Sequence, residues 1–177
     1  MIERYRVIIR GTRPLLQHRF VVAGGRRSTT WPTPDAEAES GLYRNEAGVI
    51  YEPSSHIEGS LTKAAGEFKV PGKARKSYRE FVTSGLLVEP EQIPHKNQTW
   101  VTDARLVVVP ATRGRVMRGR PRLNEWGLEF SLVNLDPANL TQPQIREILE
   151  AAGQFKGIGD YRPKFGLFEV LSFEKET

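Results

Sequence analysis

A chain of 177 residues without cysteine is long enough for one domain that buries roughly 70% of its unfolded surface in a core, and the missing thiols exclude disulfide frameworks, thiolate metal sites and cysteine nucleophiles together. Lys and Arg number 26 against 21 Asp and Glu, a formal net charge of +5, so the distribution of charge matters more than its sum. The N-terminus has no apolar targeting core and no stretch approaches the ~20 apolar residues of a membrane span, which argues against a membrane partner and makes the cytoplasm the expected compartment.

In chain order, Arg4 to Arg10 alternates Tyr5, Val7 and Ile9 with Arg4, Arg6 and Arg10 and predicts a strand with one buried face. Pro14 ends it, Leu15, Leu16 and Phe20 are expected beneath the sheet, and His18 is read as structural. Val21 to Ser40 carries Gly24-Gly25-Arg26-Arg27 and Trp31-Pro32-Thr33-Pro34-Asp35, the composition of a long mobile loop. Leu42 to Tyr51 places turn residues between two apolar arms, a short hairpin closed by Pro53. Ser55-His56-Ile57-Glu58 fits a capping box, in which serine and glutamate each satisfy a free amide at a helix start, and Ile57, Leu61, Ala64, Ala65 and Phe68 continue at helical spacing.

Lys69 to Asn97 is broken by Pro71, Gly72, Pro90 and Pro94 and reads as a basic insertion with a short helix near Tyr78 to Val82. Trp100 to Val109 ends in Leu106-Val107-Val108-Val109, which suits a strand buried on both faces and stopped by Pro110. The arginines that follow are expected on a protruding loop or ribbon. Gly127 to Val133 then alternates Leu128, Phe130 and Leu132 with Glu129 and Ser131, a third strand. Thr141-Gln142-Pro143-Gln144 offers a second capping box with proline in the first turn, where its missing amide costs nothing. The helix face is Ile145, Ile148, Leu149, Ala152 and Phe155, and a last strand alternates Leu167, Leu171 and Phe173 with Phe168 and Val170. The order βαββαβ predicts an α+β, ferredoxin-like or RNA-recognition-motif-like domain over residues 1–177, with insertions at about 21–40, 69–97 and 110–125.

Between the last helix and last strand lies Gly157-Ile158-Gly159-Asp160-Tyr161-Arg162-Pro163-Lys164-Phe165-Gly166. A dinucleotide-binding glycine motif must follow a strand and open a helix; here the order is reversed, so the segment is a helix-to-strand loop displaying Tyr161, Arg162 and Lys164. Two basic runs accompany it. Lys69, Lys73, Arg75, Lys76 and Arg79 form one, Arg113, Arg115, Arg118, Arg120 and Arg122 the other, and neither run contains an acid. Lacking local partners, such runs suit a polyanion.

In these features the chain resembles the repeat-associated RAMP proteins of CRISPR effector complexes, and among them the backbone subunits that polymerise along guide RNA. The late glycine-rich loop, the stretch Tyr51-Glu52-Pro53-Ser54-Ser55-His56-Ile57-Glu58-Gly59-Ser60-Leu61, similar to the family's Pro-rich, double-serine entry to the first helix, and the acid-bearing loop with Asp35 carry the resemblance. Pro53 and Glu58 depart from the family pattern, which has glycine before the two serines and a cation after the hydrophobic residue. A stand-alone or phage-encoded single-strand binder accommodates these departures. In some type III backbone subunits a loop aspartate takes part in RNA cleavage, and the resemblance offers Asp35 as the positional candidate.

The reading is therefore a non-enzymatic binder of single-stranded RNA or DNA that self-associates along the strand, in which basic runs meet phosphates and Tyr161, Trp31, Tyr78 or Trp126 offer stacking faces. Two alternatives stand beside it: an RNA endonuclease, either metal-independent with His56, His18 or His95 as general base or based on the loop aspartate, and a structural assembly subunit of a phage particle. The three histidines form no constellation in the sequence, no metal-ligand spacing is present, and no cofactor is expected.

Overall fold

The computed structural model describes residues 1–23, 26–27 and 33–177, and the side chains of 1–21, 33–73 and 75–177. The chain runs β1 (Glu3–Gly11), β2 (Leu15–Leu16), β3 (Val22–Ala23), β4 (Arg26–Arg27), α1 (Pro34–Ser40), β5 (Tyr51–Pro53), α2 (Ser54–Ala65), β6 (Lys69–Val70), β7 (Lys73–Ser77), α3 (Arg79–Gly85) and β8 (Leu86–Glu89). It continues through β9 (Gln92–Pro94), β10 (Val101–Val108), β11 (Arg115–Leu123), β12 (Gly127–Asn134), α4 (Gln142–Ala151), a π-helical turn (Ala152–Lys156) and β13 (Phe168–Lys175). Among the described residues no helix is long and apolar enough to cross a membrane.

The central sheet is antiparallel in the order β13-β1-β12-β8. With α2 after β1 and α4 before β13, this is a βαββαβ motif in the ferredoxin-like α+β arrangement. Tyr5, Val7 and Ile9 from β1 and Leu128, Phe130 and Leu132 from β12 are buried with Ile57 and Leu61 of α2 and Ile145, Ile148 and Leu149 of α4. Period 2 on the strands and period 3.6 on the helices thus meet in one core. Tyr5 stacks on Phe173 with ring centroids 4.9 Å apart. The sheet's other face is laced by charge: Arg4–Glu89 at 2.8 Å, Arg10–Glu169 at 2.6 Å, Lys96–Glu129 at 3.3 Å, and Arg6 bonded to Glu129.

The second strand of the motif is β8, inside the stretch expected as an insertion, and not Trp100 to Val109. Four residues of alternating Leu86 and Val88 against Leu87 and Glu89 suffice as an edge strand, too short to stand out among prolines. Val101 to Val108 instead pairs with β11 as a long ribbon, which β2 extends to a second sheet of order β10-β11-β2. Leu106 and Val108 are exposed rather than buried on both faces. Among the described residues α1 covers only the ribbon's base, its Pro34 carbonyl oxygen lying 1.9 Å from where a Cβ on Gly119 would stand. Seven helical residues span about 10 Å, whereas nine strand residues span about 30 Å, so the outer half projects past the helix.

Helix α1 also corrects the expectation of a loop throughout Val21 to Ser40. Thr33 caps it by accepting from the Ala36 amide at 3.1 Å, Pro34 opens the first turn, and Asp35 and Glu37 suit the dipole. The capping box at Ser55 is not formed. Helix α2 starts at Ser54, and Glu58 accepts from the Val88 amide at 3.0 Å, anchoring β8 instead. The box at Thr141 is formed, its amide donating to Gln144 Oε1 at 2.9 Å. Phe20 is exposed and stacks on His18. In β13 a bulge between Ile8 and Ile9 of the partner strand leaves Leu171 as the extra residue, so Phe168 and Phe173 face inward while Leu171 is exposed, where simple alternation put Leu171 and Phe173 together.

Candidate nucleic-acid interface

Backbone constraints shape the glycine-rich loop first. Gly157, Gly159 and Gly166 have φ of 69°, 79° and 76°, a region open to glycine at little cost. Space is as restrictive as torsion: a Cβ on Gly166 would lie 1.8 Å from the Ile158 carbonyl oxygen, and one on Gly159 2.4 Å from that of Leu16. The Asp160 amide donates to the Leu16 carbonyl and the Gly166 amide to that of Pro14, both at 2.8 Å, fastening the loop to β2 and the residue before it. Tyr161 also sits at positive φ, 59°, with its amide donating to Asp160 Oδ1 at 3.0 Å. Tyr161, Arg162 and Lys164 are exposed.

The arginine run of β11 has partners that the sequence hides. Arg120 reaches Asp160 at 3.0 Å and Glu37 at 3.2 Å; Arg118 reaches Glu37 at 3.4 Å, whose other oxygen accepts from the Gly119 amide. Arg122 pairs with Asp103 at 3.2 Å and donates to Asn124 at 2.8 Å. The expectation of an unpartnered run is thus corrected for Arg118, Arg120 and Arg122, because α1, β10 and the glycine-rich loop supply the acids. Arg113 and Arg115, at the ribbon tip, are exposed and enter no ion pair among the described residues. Arg105, bonded to Asp103, lies 4.7 Å from the Phe165 ring centroid and 5.9 Å from that of Tyr161, and Arg122 lies 5.7 Å from Phe165.

The first basic run occupies a separate unit, the β6–β7 hairpin and the start of α3. Lys76 pairs with Glu80 at 3.2 Å and lies 4.7 Å over the Phe81 ring. Lys69, Lys73, Arg75 and Arg79 are exposed and form no ion pair among the described residues. No hydrogen bond or ion pair among the described residues links this hairpin to the ribbon. Tyr78 and Trp126 are buried, Trp126 Nε1 donating to the Arg13 carbonyl at 2.8 Å, so neither offers a stacking face; Trp31 lies outside the described residues.

Three side chains that sequence reading did not assign to a site join the loop. Lys63 of α2 and Phe155 and Lys156 of the π turn line a groove of roughly 370 Å³ with Tyr161 and Arg162. Lys156 is held by Glu67. No linear pattern marks this groove, since its members come from positions 63, 155–156 and 159–163.

A buried polar cluster lies where β5 meets α2. Glu52 is fully buried; its Oε1 is 2.5 Å from His56 Nδ1, and its Oε2 takes Gln17 Nε2 at 2.7 Å and His95 Nε2 at 3.2 Å. Burial raises the Glu52 carboxyl, but hydrogen bonds and charge from His56 and His95 outweigh it and hold the group at about 2. Two of the three histidines therefore share one carboxylate, a constellation the sequence did not reveal. Tyr43 lies edge-on to His56 at 5.4 Å. His18 Nδ1 sits 3.9 Å from Asp160, and burial with the neighbouring Arg120 lowers its pKa. Asp35 is exposed in the first turn of α1.

No family model and no curated protein matches the sequence. Among solved structures, a chain of a "Type IV-B CRISPR Complex" superposes with a TM-score of 0.50 at 10% identity, over 96% of this chain and 90% of that one. At that identity the likeness is one of fold.

Proposed function

We propose that the chain is a RAMP-like, CRISPR-type subunit that binds single-stranded RNA or DNA through its glycine-rich loop and neighbouring cations, in the cytoplasm and without cofactor. The observation that carries this is the loop itself: a backbone fixed by three positive-φ glycines displays Tyr161, Arg162 and Lys164 beside Arg105, Lys63 and Lys156. Exposed cations without acid partners among the described residues, such as Arg113, Arg115, Lys73 and Arg75, add sequence-independent phosphate contacts. The fold shared with a chain of a CRISPR complex supports the reading. The charge-paired open face of the sheet favours a site on the loop side over one on the sheet.

Titration with single-stranded RNA, single-stranded DNA and duplex at several salt concentrations tests the proposal. Five phosphate contacts give a slope of log K against log salt near about −3.5 for single strands. A flat response overturns the electrostatic reading. A second reading, metal-independent RNA cleavage, is favoured by one contact, the Glu52 carboxylate on His56 Nδ1, which orients an imidazole as general-base catalysis requires. Labelled RNA and DNA are expected to remain intact with and without magnesium; cleavage lost in His56→Ala would establish the second reading, and cleavage lost in Asp35→Ala the loop-aspartate one.

A further inference from the structure

Two unrelated backbone irregularities present an aromatic ring to the same groove. Regular α-helical spacing puts Phe155 on the core face with Ile145, Ile148 and Ala152. The π-helical turn Ala152–Lys156 inserts an extra residue per turn, and Phe155 is rotated off that face to 56% exposure. Across the loop, Tyr161 is held at positive φ, a conformation that costs a non-glycine residue roughly 1–2 kcal/mol, and is 55% exposed. Tyr161 meets Phe165 edge-on and Arg105 beside its ring, yet both rings, each delivered by a departure from regular backbone, stay more than half exposed in one groove. The charge beside them is complementary to an anion: Lys63 and Arg162 line the groove with Lys156, which Glu67 holds, and the acid in its lining, Asp160, is occupied by Arg120 and the Tyr161 amide.

Resting on the single-strand reading, we infer that this groove is a nucleobase slot: an unstacked base of the bound strand lies against Phe155 and Tyr161 while Lys63 and Arg162 take the flanking phosphates. Stacking of this kind tolerates any base, because every base has a π face. The slot differs from the ribbon contacts, which are phosphate contacts alone.

Full-length protein is titrated with a single-stranded oligonucleotide carrying 2-aminopurine at one position, for wild type, Phe155→Ala, Tyr161→Ala, Tyr161→Phe and the double variant Arg113→Ala/Arg115→Ala, each with its thermal midpoint. Phe155→Ala and Tyr161→Ala are expected to weaken binding about tenfold or more, to leave the salt slope unchanged and to abolish the fluorescence change of the bound base. Tyr161→Phe, which keeps the ring, retains both signals. The Arg113/Arg115 variant lowers the salt slope and keeps the fluorescence change. Wild-type affinity in Phe155→Ala and Tyr161→Ala, with salt-dependent binding intact, overturns the slot and leaves the function standing. Absence of salt-dependent binding in the wild type overturns both. Adenosine monophosphate is expected not to compete; displacement of the strand by it would overturn the slot as a strand site and assign it to a free nucleotide.

Discussion

Glu52 is the residue on which the region joining β5, α2 and β9 depends. Its pKa, held at about 2 against an ordinary 4.5, is depressed in the folded state. Its contribution is therefore complete above about pH 4.5 and is lost as pH falls through about 2. A shift of that size corresponds to roughly 3 kcal/mol. Glu52→Gln is expected to destabilise the protein at neutral pH, since the amide keeps one acceptor oxygen where the carboxylate offered one to each of His56 and His95 and removes the charge they face, and to flatten the pH dependence of the urea midpoint between about pH 5 and about pH 2. A variant whose acid limb matches wild type would remove Glu52 from the account. Arginines divide at the same scale. Arg120→Ala severs Asp160 and Glu37 together and is expected to cost about 1–2 kcal/mol; Arg115→Ala is expected to stay within about 0.5 kcal/mol while reducing the salt slope by about 0.7. Thermal melts and salt titrations on the same samples separate the two classes.

At the level of elements, the glycine-rich loop is fixed by backbone contact and the ribbon by what covers it. Gly166 and Gly48 have nearly the same torsion, φ of 76° and 78°, yet a Cβ on Gly166 collides with Ile158 whereas one on Gly48 meets nothing within 4 Å. Gly48→Ala is expected to cost only the torsional strain, about 1 kcal/mol. Gly166→Ala is expected to cost clearly more and to weaken strand binding with it, as read from urea midpoints and titration. Equal losses in the two variants would mean that the loop backbone has room to move. The ribbon's outer half, with Leu106 and Met117 paired across the strands and exposed, owes its shape to strand pairing and its exposure to the shortness of α1.

For the whole molecule, the β6–β7 hairpin and the ribbon are inserted on either side of β8 in the chain; both carry exposed cations, and the ribbon also carries exposed apolar side chains that no described segment covers. Projections of this length cost ordering entropy unless a partner fixes them. Contacts of a head-to-tail kind do not close and propagate along a strand. The protein is expected to be a monomer or small oligomer when free and to form cooperative multimers on strands of increasing length, measured by light scattering. Leu106→Asp is expected to reduce cooperativity more than affinity for a strand that holds one copy. One protein per strand at every length would refute self-association and leave binding intact.

Where local signals met no competing partner, the sequence by itself determined the answer; at Ser55 the capping pattern yielded because Glu58 takes the Val88 amide. Alternation of Tyr5, Val7 and Ile9 and of Leu128, Phe130 and Leu132 located the two central strands, Thr141 to Gln144 announced its helix, and the glycines at 157, 159 and 166 marked a loop that only glycine can build. Tertiary structure decided the rest, because each remaining outcome depends on what approaches from elsewhere in the chain. Leu86 to Glu89 is a sheet strand because β12 offers an edge, and Val101 to Val108 is half exposed because α1 ends too soon. Arg120 is a structural cation because Glu37 and Asp160 fold onto it, and Phe155 leaves the core because its helix widens by one residue. Charge partners, edges and grooves arise between segments far apart in sequence, and a pattern read along the chain registers only neighbours.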